Sequence, residues 1–417
     1  MRTVSEEQLV RELGRSEAAE PRVVASGNFA TPTRLIDLFD ATTESYRLFM
    51  LNAQGTVPCR DDVVLETPFV GPAMRSAGAR LDYLPMRLSL VPALFARSRP
   101  PDVVLLHTSP PRSGKVSLGI EVNILVAAIE HVRSQGGLVV AQINPHMPYT
   151  FGDGEIDVEE VDFAVEVDER LPSPSAHLPS DLDRAIGQQV ADLVEDGATL
   201  QMGIGSIPDC TLGALIRRRG LAVWSEMVSD GVLELEQRGA TDRARPIVAS
   251  FLFGSAELYR WVDQNPRVRM TRTETTNDPS MIGRQPAMVS INSALQVDLF
   301  AQANASYVKG RIYSGFGGQS DFTVGAMHAR GGRAVIALPS WHDKTASSTV
   351  VPALTSPVTS FQHSAIVSEQ GCAHIFGRSQ RAQARLITEQ VAHPAAREEL
   401  REAAWKMGLA AAGEHRS

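Results

Sequence analysis

Five short turns carry the side chains of this chain that could do chemistry. They are Gly203-Ile204-Gly205-Ser206-Ile207-Pro208-Asp209, Ser225-Glu226-Met227-Val228-Ser229-Asp230-Gly231, Thr273-Glu274-Thr275-Thr276-Asn277-Asp278-Pro279, Ser314-Gly315-Phe316-Gly317-Gly318-Gln319-Ser320-Asp321-Phe322 and Ser368-Glu369-Gln370-Gly371. Each sits where a strand should end, and ligands of open parallel sheets collect at such ends. Any one of them alone reads as a tight turn. Together they combine carboxylates with glycines, whose backbone can come close to a ligand. That mixture suits a site built from backbone amides and a carboxylate.

Other chemistries fail on spacing. Gly203-Ile204-Gly205 opens like a dinucleotide fingerprint, but Pro208 stands where the third glycine belongs. Gly114-Lys115 resembles a phosphate loop, yet Ser109 replaces its first glycine and Val116 its hydroxyl residue. The ten histidines show no pair at ligand spacing beside a third ligand. Ser206, in Gly205-Ser206-Ile207-Pro208, is not a nucleophile elbow.

The elements that must position these turns follow a strand–helix–strand rhythm. Val103 to Leu106 reads as a buried strand, Glu121 to Ser134 as a helix, and Leu138 to Ala141 as the next strand. Leu171 to Pro179 is rich in Pro and Ser and reads as an interdomain linker. The rhythm then restarts with a helix near Asp183 to Glu195, a strand at Ala198 to Met202 and a later one at Arg333 to Leu338. A charged helix near Ala395 to Ala404, behind Pro394, closes the chain. The expected fold is α/β, with two open, twisted, mainly parallel sheets and covering helices. The expected domains are 1–175 and 182–417, the second carrying most of the chemistry.

With 417 residues, the chain exceeds one compact core. Its 43% hydrophobic and 21% charged residues are those of an ordinary globular protein. Three distant cysteines argue for a reducing compartment. No apolar run reaches membrane-spanning length, and the residues after Met1-Arg2-Thr3 show no signal-peptide h-region, so no signal peptide and a cytoplasmic location are expected. A net charge of −8 speaks against nucleic acid as partner.

At the five turns the sequence resembles the acetyl-CoA hydrolase/transferase family, which includes 4-hydroxybutyrate and acetate CoA-transferases. The likeness runs from about Asp102 to Leu400 and also rests on Ser109-Pro110-Pro111, Asn144-Pro145-His146-Met147-Pro148, Ser290-Ile291-Asn292-Ser293-Ala294 and Ala337-Leu338-Pro339-Ser340. The resemblance implies two α/β domains with the active site in the cleft between them. It implies Glu274, two residues before Thr276-Asn277-Asp278-Pro279, as the covalent nucleophile, with Glu226 and Glu369 in reserve. It implies Gly371 as an oxyanion donor. It also implies that the Gly315, Phe316, Gly317, Gly318 and Gln319 loop meets the thioester and pantetheine. Trp224, Gln296, Trp341 and His374 depart from the family pattern and are expected to include acyl-pocket residues.

The implied activity is transfer of coenzyme A from an acyl-CoA to a carboxylic acid. No permanently bound cofactor or metal is expected, and a homo-oligomer is compatible with the pattern. Thiolate is a good leaving group, so an ionised nucleophile and oxyanion donors suffice. Glutamate attack would give an acyl-glutamyl anhydride and then a glutamyl-CoA thioester, with ping-pong kinetics. An acyl-CoA hydrolase using the same site, or a non-catalytic acyl-CoA-binding subunit, are the alternatives.

Overall fold

The computed structural model describes residues 1–14, 19–175, 178–358 and 362–410. Two eight-stranded sheets organise it. The first contains β1 (Arg2–Thr3), β2 (Arg22–Ala25), β3 (Tyr46–Phe49), β4 (Val63–Thr67), β5 (Leu81–Tyr83), β6 (Val103–Thr108), β7 (Leu138–Ile143) and β8 (Phe163–Glu166). Its order is β1-β8-β7-β6-β2-β3-β4-β5, parallel throughout. The second contains β9 (Thr199–Met202), β10 (Ala222–Trp224), β11 (Ile247–Ala249), β12 (Val268–Met270), β13 (Met288–Ser293), β14 (Arg333–Ala337), β15 (Ala365–Ser368) and β16 (Gly371–His374). Its order is β12-β11-β10-β9-β13-β14-β15-β16, with only the β15–β16 hairpin antiparallel.

The strands are apolar on both faces, as parallel strands covered by helices must be. All six residues of Val103–Thr108 are buried, as are all four of Thr199–Met202. Each sheet runs outward from its middle through four successive strands. It then returns to start a second run on the other side of the first. Each sheet therefore has a switch point, between β2 and β6 in the first and between β9 and β13 in the second. Such points leave a crevice at the strand carboxyl ends.

Backbone hydrogen bonds stitch one half to the other. Val122 N and Asn123 N donate to Ser250 O, Thr273 N to Asn123 O, Leu252 N to Ile120 O, and Met270 N to Phe151 O. A single hydrophobic cluster runs from Val24 in the first sheet to Val367 in the second. This seam corrects one sequence expectation. The helix expected from Glu121 begins only at Leu125 and ends at Gln135. Residues 120–123 bond across the seam instead, and the Asn123 Oδ1 accepts from Ile124 N. Among the described residues, no helix is long and apolar enough to cross a membrane.

Candidate active site

A cavity of about 290 Å³ lies where the two crevices face each other. From the second half come Gln201, Met202 and Gly203 at the end of β9, and Asn292 and Ser293 at the end of β13. The first half contributes Asn28 after β2, Leu51 and Asn52 after β3, and Phe69 after β4. Asn123 and Phe251, from the seam, and the loop from Ser314 to Gln319 complete the wall. Glu226 is the one carboxylate among the described residues that line it.

Glu226 follows β10 and is fixed through its own backbone. Its carbonyl accepts from Ser250 N (2.8 Å) and Phe251 N (2.9 Å). The preceding Ser225 bridges to the end of β9, its Oγ accepting from Met202 N at 3.3 Å. The Asn277 Nδ2 donates to Glu226 Oε2 at 2.7 Å. Protein surrounds the side chain except where it meets the cavity, through which it is partly accessible. Burial pushes its carboxyl up to about 7, and the Asn277 hydrogen bond opposes the rise. Nearby Asp321 and Glu121 add to it.

The glycine loop closes over this carboxylate. A Cβ on Gly318 would lie 1.8 Å from Glu226 Oε2, and one on Gly315 would lie 2.3 Å from Pro68 O. Gly317 has φ +54, a left-handed conformation that favours glycine, and its ring neighbour is Phe69. The loop is tied to the first half by Val70 N donating to Ser314 O and Leu88 N to Gly317 O. Gly318 caps the helix Gln319–His328, whose first N–H groups have no intrahelical acceptor. Just behind, Asp321 is buried and accepts from Ser89 N (3.1 Å) and Ser89 Oγ (2.7 Å).

The sequence-predicted residues divide. Gly315, Phe316, Gly317, Gly318 and Gln319 all line the cavity. Glu274 does not. It lies in the short helix Thr273–Thr276 and pairs with Arg272, whose Nε donates to Glu274 Oε1 at 2.9 Å. Arg272 also holds Glu130 (2.7 Å), so Glu274 belongs to an ion-pair network with 32% of its side chain exposed. The same run instead contributes Asn277 to the site. Gly371 also lies away from the cavity wall: it pairs with Ser368 at the β15–β16 hairpin. A Cβ there would meet Gln390 O at 2.9 Å. Glu369 accepts from Ser340 N and Ser340 Oγ.

The four departures from the family pattern are not cavity residues either. Trp224 Nε1 donates to Thr276 O (3.0 Å), steadying the residue before Asn277. Gln296 pairs with Asn304, Trp341 packs on His393, and the His374 ring nears Cys372 Sγ at 3.7 Å. Sequence reading missed Asn28, Asn52, Asn123 and Gln201 as cavity residues, and Glu121 behind them. The available signal was a charge inside the apolar run Leu118 to Val126, where an acid needs a buried partner.

Comparison with known proteins places the chain in a family. Residues 254–404 match the acetyl-CoA hydrolase/transferase C-terminal domain. A 4-hydroxybutyrate coenzyme A transferase from Clostridium kluyveri is 39% identical over 346 residues, 80% of each chain. A succinyl-CoA:acetate/propanoyl-CoA:succinate CoA transferase from Fasciola hepatica is 36% identical, over 92% of this chain and 84% of the relative. The crystal structure of a 4-hydroxybutyrate CoA-transferase from Porphyromonas gingivalis superposes with a TM-score of 0.81 at 29% identity, covering 97% of this chain and 98% of that one. With relatives this similar over most of its length, the chain belongs to the acetyl-CoA hydrolase/transferase family.

Proposed function

We propose that the protein transfers coenzyme A from an acyl-CoA to a carboxylic acid, with Glu226 as the nucleophile. The observation that carries this reading is the Glu226 carboxylate itself. It alone among the described acids lines the cavity, with Asn277 on one side and the Gly317–Gly318 turn on the other. Glu274 is the less favoured nucleophile, because Arg272 already engages its carboxylate.

Ionised Glu226 attacks the thioester carbonyl. The C–S bond breaks, giving an acyl-glutamyl anhydride and CoA thiolate. The thiolate then attacks the glutamyl carbonyl of the anhydride, releasing the first acid as its carboxylate and leaving a glutamyl-CoA thioester. A second carboxylate reverses both steps and leaves as the new acyl-CoA. Amides at the start of the helix Gln319–His328 point their dipoles at the oxyanion formed outside the glutamate. The Asn277 Nδ2 is the donor for the oxyanion formed on the glutamate's own carbonyl.

Borohydride reduces a glutamyl thioester to an alcohol but leaves a free carboxylate untouched. Incubation with a productive acyl-CoA and then borohydride should inactivate the enzyme and mark a peptide containing Glu226. A mark within Met270 to Pro279 would return the role to Glu274. Substrate-dependent CoA release without any mark, and without exchange into acetate, would establish direct hydrolysis instead. As a second check, Glu226→Ala should lose activity by several orders of magnitude, and Glu274→Ala by far less.

A further inference from the structure

The wall of the cavity carries six primary amides, those of Asn28, Asn52, Asn123, Gln201, Asn292 and Gln319, with apolar side chains between them. Among the described residues, no lysine, arginine or histidine lines it. Behind the wall stands a second carboxyl. Glu121 is 1% exposed and accepts from Asn28 Nδ2 (2.6 Å), Asn123 Nδ2 (3.0 Å) and Gly27 N (3.2 Å). Three converging N–H donors are the environment of an ionised carboxylate, which only accepts.

The consequence for the wall is directional. The Asn28 and Asn123 amide nitrogens are drawn towards Glu121. The Asn28 Oδ1 accepts from Asn52 Nδ2 (2.7 Å), and the Asn123 Oδ1 accepts from Ile124 N. On the opposite side, Gln201 Oε1 accepts from Ser290 Oγ (2.7 Å), which leaves its Nε2 to donate elsewhere. Neutral oxygens can therefore be served at this wall. A second anion would find neutral donors such as Gln201 Nε2 and Gln319 Nε2 but no counter-charge, with Glu121 behind the wall and Glu226 also facing the cavity. A buried charge without a counter-charge is strongly disfavoured.

Resting on the transferase reading above, we propose that this cavity selects acyl groups and acceptor acids with uncharged tails, and that Glu121 enforces the exclusion of dicarboxylates. Glu121 is a specificity-determining residue that acts through Asn28 and Asn123 rather than by touching substrate.

Butyryl-CoA, 4-hydroxybutyryl-CoA and succinyl-CoA have equal chain length and differ in tail charge. With acetate as acceptor at pH 8, the wild-type protein should use the first two and show kcat/KM at least about 100-fold lower for succinyl-CoA. Burial pushes Glu121 up to about 7, so it is ionised under these conditions. Glu121→Gln keeps the shape and removes the charge. It should narrow the succinyl-to-butyryl gap about tenfold. Ile204 also lines the cavity and is 44% exposed, so Ile204→Arg adds a cation where folding is little at risk. It should narrow the same gap by a similar factor, and the CoA phosphates cancel in the ratio. Wild-type use of succinyl-CoA within tenfold of butyryl-CoA would overturn the proposal. An unchanged ratio in a folded Glu121→Gln would remove Glu121 from it, and an unchanged ratio in Ile204→Arg would remove the electrostatic cause. Turnover of none of the three would instead overturn the transferase reading on which the proposal rests.

Discussion

Replacing Glu226 by Gln should destroy activity and yet stabilise the protein, and the stabilisation should appear only at high pH. The folded-state carboxyl titrates near 7, against an ordinary value of 4.5. A carboxyl raised in this way favours folding while protonated and opposes it once ionised. Its stability contribution is complete below about pH 4.5 and is lost as pH rises through 7. The full difference corresponds to about 3 kcal/mol. Water entering the cavity reduces that, so roughly 2 kcal/mol is the working figure. For 417 residues the unfolding entropy is about 0.9 kcal/mol/K, which converts this to a rise in Tm of about 2 °C. The Gln side chain keeps an oxygen for Asn277, so geometry is conserved. Scanning calorimetry of both proteins at pH 5 and pH 8 checks the sign. A Gln variant no more stable at pH 8 than the wild type, or equally stabilised at both pH values, would refute the reasoning that a buried charge is held at a cost.

The same titration governs turnover: kcat/KM for an acyl-CoA should rise about tenfold per pH unit below 7 and level above it, as a pH–rate profile would show. Gly318→Ala puts a methyl 1.8 Å from Glu226 Oε2. It should lower kcat at least about 100-fold with little change in Tm, since the displaced group is the end of a side chain rather than backbone. Glu66 is fully buried and receives Arg22 (2.8 Å), Arg47 (3.2 Å) and Arg99 (2.5 Å). Glu66→Ala leaves Arg22 without its carboxylate, while Arg47 keeps Glu20 and Arg99 keeps Asp82, and should cost about 3 kcal/mol, read as a fall of about 3 °C in Tm with substrate KM values unchanged.

The layers of the fold were legible because parallel strands are continuous apolar runs, and Val103–Thr108 and Leu138–Ile143 follow that rule. The glycine loop was legible because Gly315, Gly317 and Gly318 cluster beyond what a turn needs. The resemblance put Glu274 first and Glu226 and Glu369 in reserve, without showing which of the three meets the cavity. Each follows a hydroxyl residue in a similar turn, and only the third dimension reveals that Arg272 takes Glu274 and Ser340 takes Glu369. The amide wall was equally hidden. Asn28 and Asn52 meet because they follow adjacent strands of the first sheet, and Glu121 joins Asn28 to Asn123. Glu121 sat inside an apparent helix, since a sequence window cannot register that Ser250 draws residues 122–123 out of it.

The seam between the halves has a further consequence, for how the molecule comes apart. Domains joined by small polar contacts melt separately, whereas a shared apolar cluster and strand-like bonds couple them into one cooperative unit. Here the main hydrophobic cluster draws on both sheets, and Asn123 exchanges backbone bonds with Ser250 and Thr273. The residues that build this joint are the neighbours of those that wall the cavity. Loosening the joint therefore dismantles the cavity at the same moment, and no half-melted species can keep a working site. Heat inactivation and loss of secondary structure should follow a single curve. A proteolytic cut in the 171–179 connection should leave two fragments that stay together and melt as one.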